Sequence, residues 1–189
     1  MQNILIGIVA FLAGVAVMFF GGQGGGDNGG VKPQQMADAV HTVLEANRTV
    51  YTQKIINRLS KVEKVIQASE HWEDEKALLL PAQMFSAGSL LVQKKHSGFS
   101  YALLSEWPIN AQNMPKTEAE KNGLKAIRET GNAFYTDETL GNQNYFTAVY
   151  PDKAISPACV DCHNDHKDSP RKDFKLNEIM GGIVIRIPL

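Results

Sequence analysis

Residues 145–166 read YFTAVYPDKAISPACVDCHNDH. The aromatic and β-branched run Tyr145–Tyr150 has strand character. Pro151 and Pro157 follow it, and then comes Cys159-Val160-Asp161-Cys162-His163. C-x-x-C-H is the pattern of covalent c-type haem attachment. Two thiols three residues apart share one face of a helical turn, so both can add to vinyl groups on one edge of a porphyrin. His163 is then held near the ring centre, where its imidazole can ligate the iron. One covalent haem c is therefore the cofactor expected, with Cys159 and Cys162 as thioether residues and His163 as proximal ligand.

Three other chemistries compete for these residues. A thioredoxin-type redox pair is expected after a strand early in a βαβ unit, whereas this pair stands late in the chain. Cys159, Cys162, His163 and His166 offer four zinc ligands, but within eight residues, a tighter cluster than structural zinc sites use. A disulfide across a three-residue separation is strained. These are the only two cysteines, so a disulfide scaffold is excluded.

The second axial position has several candidates. His41 lies beside the apolar residues Val40 and Leu44 and is the distal candidate preferred here; Met36 or another of the six methionines comes next, and an open or water-filled position after that. His71 and His96 sit in polar stretches, and His166 reads as a solvated polar residue. Arg171, Lys172 and Lys175 either pair with haem propionates or form an ordinary basic loop. Trp72 and Trp107 read as packing residues.

Upstream of the motif the chain divides at its composition. Ile4–Phe20 is an unbroken apolar run that would span about 26 Å as a helix. It lacks a basic n-region and a small-residue cleavage site, which favours an anchor over a cleaved signal. Residues 1–21 are thus expected to be a transmembrane anchor or signal segment, and 22–33 a glycine-rich linker that continues GGQGGGDNGG. Residues 34–189 form the folded domain. The periodicity of Met36, Val40, Val43, Leu44, Ala46, Tyr51, Ile55, Leu59, Val62 and Ile66 predicts a helix over about 34–68. Pro81 opens a second helix to about residue 94, with Met84, Phe85, Leu90 and Leu91 on its apolar side. Residues 99–104 read as a strand, 107–115 as an ordered loop, and Thr117 with Glu120 as a capping box whose helix ends near Gly131. A last strand covers 183–187, after Gly181-Gly182. Few short strands and early helices give an α+β domain with a small antiparallel sheet.

Lys and Arg number 19 against 20 Asp and Glu. That balance offers no field for nucleic acid, and none is expected as a partner. No repeat of solenoid period is present. Bacterial thioether formation takes place on the periplasmic side, and the apolar N-terminus would deliver the domain there, so the expected location is the periplasmic side of the inner membrane.

Four segments carry a resemblance: EANRTVYT (45–52), SEWPINAQNMPKTEAE (105–120), YFTAVYP leading into CVDCHNDH (145–166) and IMGGIVIRIPL (179–189). In this order they resemble a family of PAS-like domains bearing one c-type haem. The family includes small monohaem proteins and the periplasmic sensor domains of chemoreceptors and histidine kinases. The resemblance implies a PAS-like sheet flanked by helices, with the haem near the N-terminal helix and held by Cys159, Cys162 and His163. Family members draw a distal ligand of varying identity from that helix, cysteine in some. This chain has no spare cysteine, which adds weight to His41. Sensor relatives continue into a second membrane helix and a signalling domain, whereas this chain stops at Leu189. The function so implied is redox or gas sensing through a redox or signalling partner protein in the periplasm or membrane. The alternative is an electron-transfer cytochrome shuttling between membrane and periplasmic partners. A homodimer is compatible with either. No acid/base or nucleophile constellation accompanies the motif, so no enzyme is expected.

Overall fold

The computed structural model describes residues 30–95 and 97–189. The expected anchor (1–21), most of the linker and His96 lie outside the described residues. Among the described residues no helix is long and apolar enough to cross a membrane.

Helix α1 spans Pro33–Val50, opened by Pro33 at its first position. It runs on, with Tyr51 still helical, into a π-helical segment, Tyr51–Val62. The helix expected over about 34–68, with a break possible inside it, changes winding at Tyr51 and is corrected in length: Lys64, at φ 56°, stops it. The winding also moves the buried face of this segment. Ile55 and Val62 are exposed, while Thr52, Ile56 and Ser60 are buried; Val43, on α1, is exposed as well. The short strands β1 (Ala68–Ser69) and β2 (Leu78–Leu79) pair in parallel around the charged turn 71–76. The Tyr51 hydroxyl donates to Leu79 O at 2.8 Å and ties the π segment to β2.

Helix α2 (Pro81–Lys94) has the predicted bounds. Its inward side is corrected: Leu90 and Leu91 are exposed, and Phe85 and Ser89 are buried. Phe85 meets Tyr101 edge to face at 4.8 Å. Strand β3 (Ser100–Leu104) follows, and the ordered loop contains one 3₁₀ turn, Ala111–Asn113. Helix α3 (Glu118–Thr130) has the predicted capping box and ends on Gly131 at φ 73°. Strands β4 (Phe134–Leu140) and β5 (Gln143–Lys153) form a hairpin through Gly141-Asn142. Helix α4 (Pro157–Asp165) carries the cysteine motif, and β6 (Ile179–Pro188) closes the domain.

The four long strands form one antiparallel sheet in the order β3-β6-β5-β4. The architecture is α+β with a small antiparallel sheet and flanking helices, as expected. Alternation decides what each face packs against. Ala148, Tyr150, Ile183, Ile185 and Ile187 meet Ala37 of α1 and Phe85 of α2. Val149 and Val184 meet Leu124 and Ile127 of α3. Gly182 is inside β6, where a Cβ would stand 2.8 Å from both Leu124 and Ile127, so the close approach of α3 needs glycine there.

Candidate haem site

The end of β5 delivers the motif. Its ladder with β6 shifts register between Asp152 and Lys153, a bulge of the kind that redirects a strand beside functional sites. Ser156 then caps α4, accepting from Ala158 N at 3.2 Å, with Pro157 at the first helical position. The Ser156 hydroxyl also donates to Asn57 Oδ1 at 3.2 Å, and Lys61 pairs with Asp161 at 3.2 Å. Both contacts dock α4 on the π segment.

Cys159 and Cys162 are free, half-buried thiols one helical turn apart. Burial pushes both thiols above their ordinary range; Arg48 partly opposes this at Cys159, and the neighbouring thiol adds to it at Cys162. Raised thiols are the reverse of what a reactive redox pair uses. Burial, aided by the Arg48 charge, lowers the His163 pKa and keeps the ring neutral, the form that ligates metals. Among the described residues no three His, Cys, Asp or Glu converge to hold a metal ion, so the motif does not gather as a zinc site would.

The segment after α4 is folded back against His163. Asn164 Nδ2 donates to Phe174 O and Phe174 N donates to Asn164 Oδ1, each at 3.0 Å. The Phe174 ring stands perpendicular to His163 at 5.7 Å. Arg171 lies 4.8 Å from the Trp107 ring and 4.4 Å from Phe174, and pairs with Asp173 and Glu178. Arg171 is thus engaged by two aromatic rings and two carboxylates, the environment of a packed basic residue, the second of its two expected readings. Lys172 and Lys175 are exposed. His166, expected to be solvated, is held instead: Nδ1 accepts from Asp168 N at 3.2 Å, and Nε2 lies 3.5 Å from Glu70. His71 is on the other oxygen of the same Glu70, also at 3.5 Å. Phe174→Ala is expected to lower stability by about 3–5 kcal/mol, because the ring is 3 % exposed at the centre of this packing. Urea unfolding measures it, and a loss below about 1 kcal/mol would show that the loop packs without the ring.

A cavity of about 660 Å³ opens between α4, the π segment and α2. That volume suits a cofactor-sized molecule. Cys159, Cys162 and His163 line one wall, and Arg48, Thr52 and Ser60 stand on the helix opposite. Arg48 Nε, Thr52 Oγ1, Ser60 Oγ and His163 Nδ1 are buried without a hydrogen-bond partner among the described residues. Orphaned polar atoms gathered around one cavity fit a bound group that supplies polar partners.

Arg48 forms a direct ion pair with Asp152, their side chains only 12 % and 9 % exposed. Burial raises the Asp152 pKa and the Arg48 guanidinium pulls it back. Both residues also line a second cavity, of about 180 Å³, with His41, Glu45, Thr49 and Lys153. The distal candidate His41 is therefore not brought into the cavity of the motif. It stacks on Tyr150 at 3.9 Å and 9°, and burial lowers its pKa against the pull of Glu45 and Asp38. Tyr150 and Tyr135 both donate to Asp38 Oδ1, at 2.7 and 2.9 Å, completing that cluster. Met36 packs against the core under α1. Residues 48, 52, 56 and 60 went unread in the sequence; their spacing of four along one helix was the available signal.

Fold and site together define an α+β domain with one large cavity walled by a thiol-bearing helix. The chain belongs to the Tll0287-like family, whose model matches residues 31–188. Among solved structures it is similar to that of the cyanobacterial haem protein Tll0287, with a TM-score of 0.54 and 13 % identity over 84 % of this chain and 97 % of that one. Identity at this level speaks for the fold alone. No curated protein matches the chain.

Proposed function

We propose that this chain is a haem protein with one haem c attached through Cys159 and Cys162, that His163 ligates its iron, and that it works in redox or gas sensing through a partner protein. The observation that carries the reading is the placement of all three residues on one short helix walling a cavity of about 660 Å³. The haem in the printed title of the Tll0287 structure supports it. Bound there, haem would supply one-electron exchange and an iron site for small ligands. The chain's own part is to hold the ring of His163 neutral against Phe174, to present the two thiols on one face, and to enclose the group between α2 and the π segment. The unpartnered hydroxyls of Thr52 and Ser60 favour ligand sensing over simple electron carriage. We read the sheet and its helices as PAS-like, and residues 1–21 as the anchor holding the domain on the periplasmic side.

The test is expression beside working cytochrome c maturation machinery, followed by mass measurement of the denatured chain and an absorption spectrum. One haem added to the polypeptide mass and a Soret band are expected. A mass equal to the polypeptide alone, with no Soret band, overturns the reading. Membrane fractionation tests the anchor: the protein is expected to stay with the membrane through high salt and alkaline extraction.

A further inference from the structure

We propose that Phe174 is a positioning residue for the proximal ligand: clamped against His163, it keeps hydrogen-bond acceptors and water from the ring nitrogen turned away from the iron, so that His163 ligates as a weak donor and the haem favours its ferrous form. The inference rests on the haem reading above and adds how this chain sets the poise of that haem.

A ring nitrogen without an acceptor is the first support. Metal-bound histidines nearly always donate their second ring N–H to a carboxylate, a carbonyl or water. His163 lines the cavity, and of its two nitrogens Nδ1 is the one buried without a hydrogen-bond partner among the described residues. Nε2 is then the nitrogen left for the iron. The ionisable side chains that act on the ring are Arg48 and His166. Arg48 is a donor only, and His166 is engaged by Asp168 N and Glu70. Neither is the carboxylate that would draw the Nδ1 proton.

The second support is what the adjacent amide does instead. Asn164 follows His163 directly and carries an oxygen that can accept. That Oδ1 takes the Phe174 N–H, and Nδ2 donates to Phe174 O, each at 3.0 Å. Two bonds of opposite sense tie the Phe174 backbone to the residue beside the ligand. The Phe174 ring then stands perpendicular to the imidazole, with centroids 5.7 Å apart. Arg171 lies 4.4 Å from the same ring, and Trp107 meets it edge to face at 5.8 Å. Phe174 is itself buried, so the packing leaves water no place beside the enclosed nitrogen.

The consequence follows from ligand basicity. An acceptor at Nδ1 draws the proton, strengthens the ligating nitrogen as a donor and so stabilises ferric iron. Its absence acts the other way. Apolar packing has the same sign, because the ferric haem carries one more positive charge than the ferrous and loses more by exclusion of water.

The experiment uses the full haem-bearing chain with its histidines labelled with nitrogen-15. In the ferrous wild type the His163 Nδ1–H is expected to give an NMR signal that persists after transfer to heavy water. An N–H that exchanges within the mixing time overturns the proposal, and this measurement needs no variant to fold. Reduction midpoints are then compared by spectroelectrochemistry. Phe174→Ala admits water and is expected to lower the midpoint potential and to speed the N–H exchange about tenfold or more. Phe174→Leu keeps an apolar filling without the ring. It is expected to lose stability, yet to hold midpoint and exchange near those of the wild type. Stability that falls in both variants while neither potential moves overturns the proposal, because Phe174 is then structural alone. So does a shift in Phe174→Leu as large as that in Phe174→Ala. Each of these failures occurs in a protein that carries its haem, and leaves the haem reading standing. A chain that emerges without haem is recognised by mass beforehand, and overturns that reading along with this one.

Discussion

The double variant Cys159→Ser, Cys162→Ser is expected to emerge from maturation-competent cells at the mass of its polypeptide, with no Soret band after denaturation and gel separation. Serine keeps the size of the side chain but forms no thioether, so covalent attachment has no remaining site among residues 1–189. The helix itself should survive, since its cap at Ser156, its start at Pro157 and its contacts through Asn57 and Lys61 involve neither sulfur. Circular dichroism separates loss of haem from loss of helix. The variant should also unfold more easily than the haem-bearing wild type, because an attached haem makes its packing contacts and its His163 ligation only while the chain is folded. Retention of a covalent haem in the double variant would move the attachment away from α4. Each single variant should keep one thioether, with Cys162→Ser the less disturbed in packing, because Cys159 is the thiol set against the buried Phe174 and Met180 cluster.

The local signals in the sequence were sufficient where a helix end or a motif carries its own chemistry. Pro81 opens α2 and the Thr117–Glu120 box opens α3, and Gly131 closes α3 with a left-handed residue that only a small set of side chains tolerates. The five-residue motif placed three cavity residues on one turn. What stayed hidden depends on distant partners. Strand β4, FYTDETL, reads as polar because Asp137 and Glu138 interrupt it, yet Glu138 is inside because Arg186 waits for it on β6. The two-residue turn Gly141-Asn142 was the local clue to that hairpin. The stripe Tyr51, Ile55, Leu59, Val62 assumed one constant winding. The π turn replaces it with Thr52, Ile56 and Ser60, and no residue in the segment announces that change. His41, chosen for its apolar neighbours and by the resemblance, stands at the smaller cavity stacked on Tyr150, a partner 109 residues away that the sequence does not announce. The pair between Arg48 and Asp152, 104 residues apart in sequence, lies between the two cavities and could not be read from either residue alone.

Arg186→Leu is expected to destabilise the domain by about 3–5 kcal/mol, the range for removing one partner of a buried ionic group. Arg186 Nε donates to Glu138 Oε1 at 2.6 Å and its terminal nitrogen donates to Glu120 Oε1 at 2.7 Å, with all three side chains largely buried. Thr147 donates to Glu138 at 2.6 Å, while Lys116 N and Thr117 N donate to Glu120. Burial is the largest influence on both carboxylates and acts to raise their pKa. Hydrogen bonds and the Arg186 charge together outweigh it and hold both below the ordinary value. A depressed folded pKa means stability that is present above the unfolded carboxylate pKa, about 4.3 for glutamate, and lost as pH falls through the folded values. The wild type should therefore weaken on strong acidification. In Arg186→Leu the guanidinium's share of that lowering is gone while burial still acts to raise both carboxylates, so their folded pKa values move up and less stability is lost on acidification than in the wild type. Urea midpoints from pH 4 to pH 8 measure both slopes. Equal slopes in the two proteins would show that Arg186 does not set the state of these carboxylates. Adding Glu120→Gln and Glu138→Gln to the variant is expected to restore most of the loss at neutral pH, because the penalty lies in stranded charge and the amides can keep many of the same hydrogen bonds.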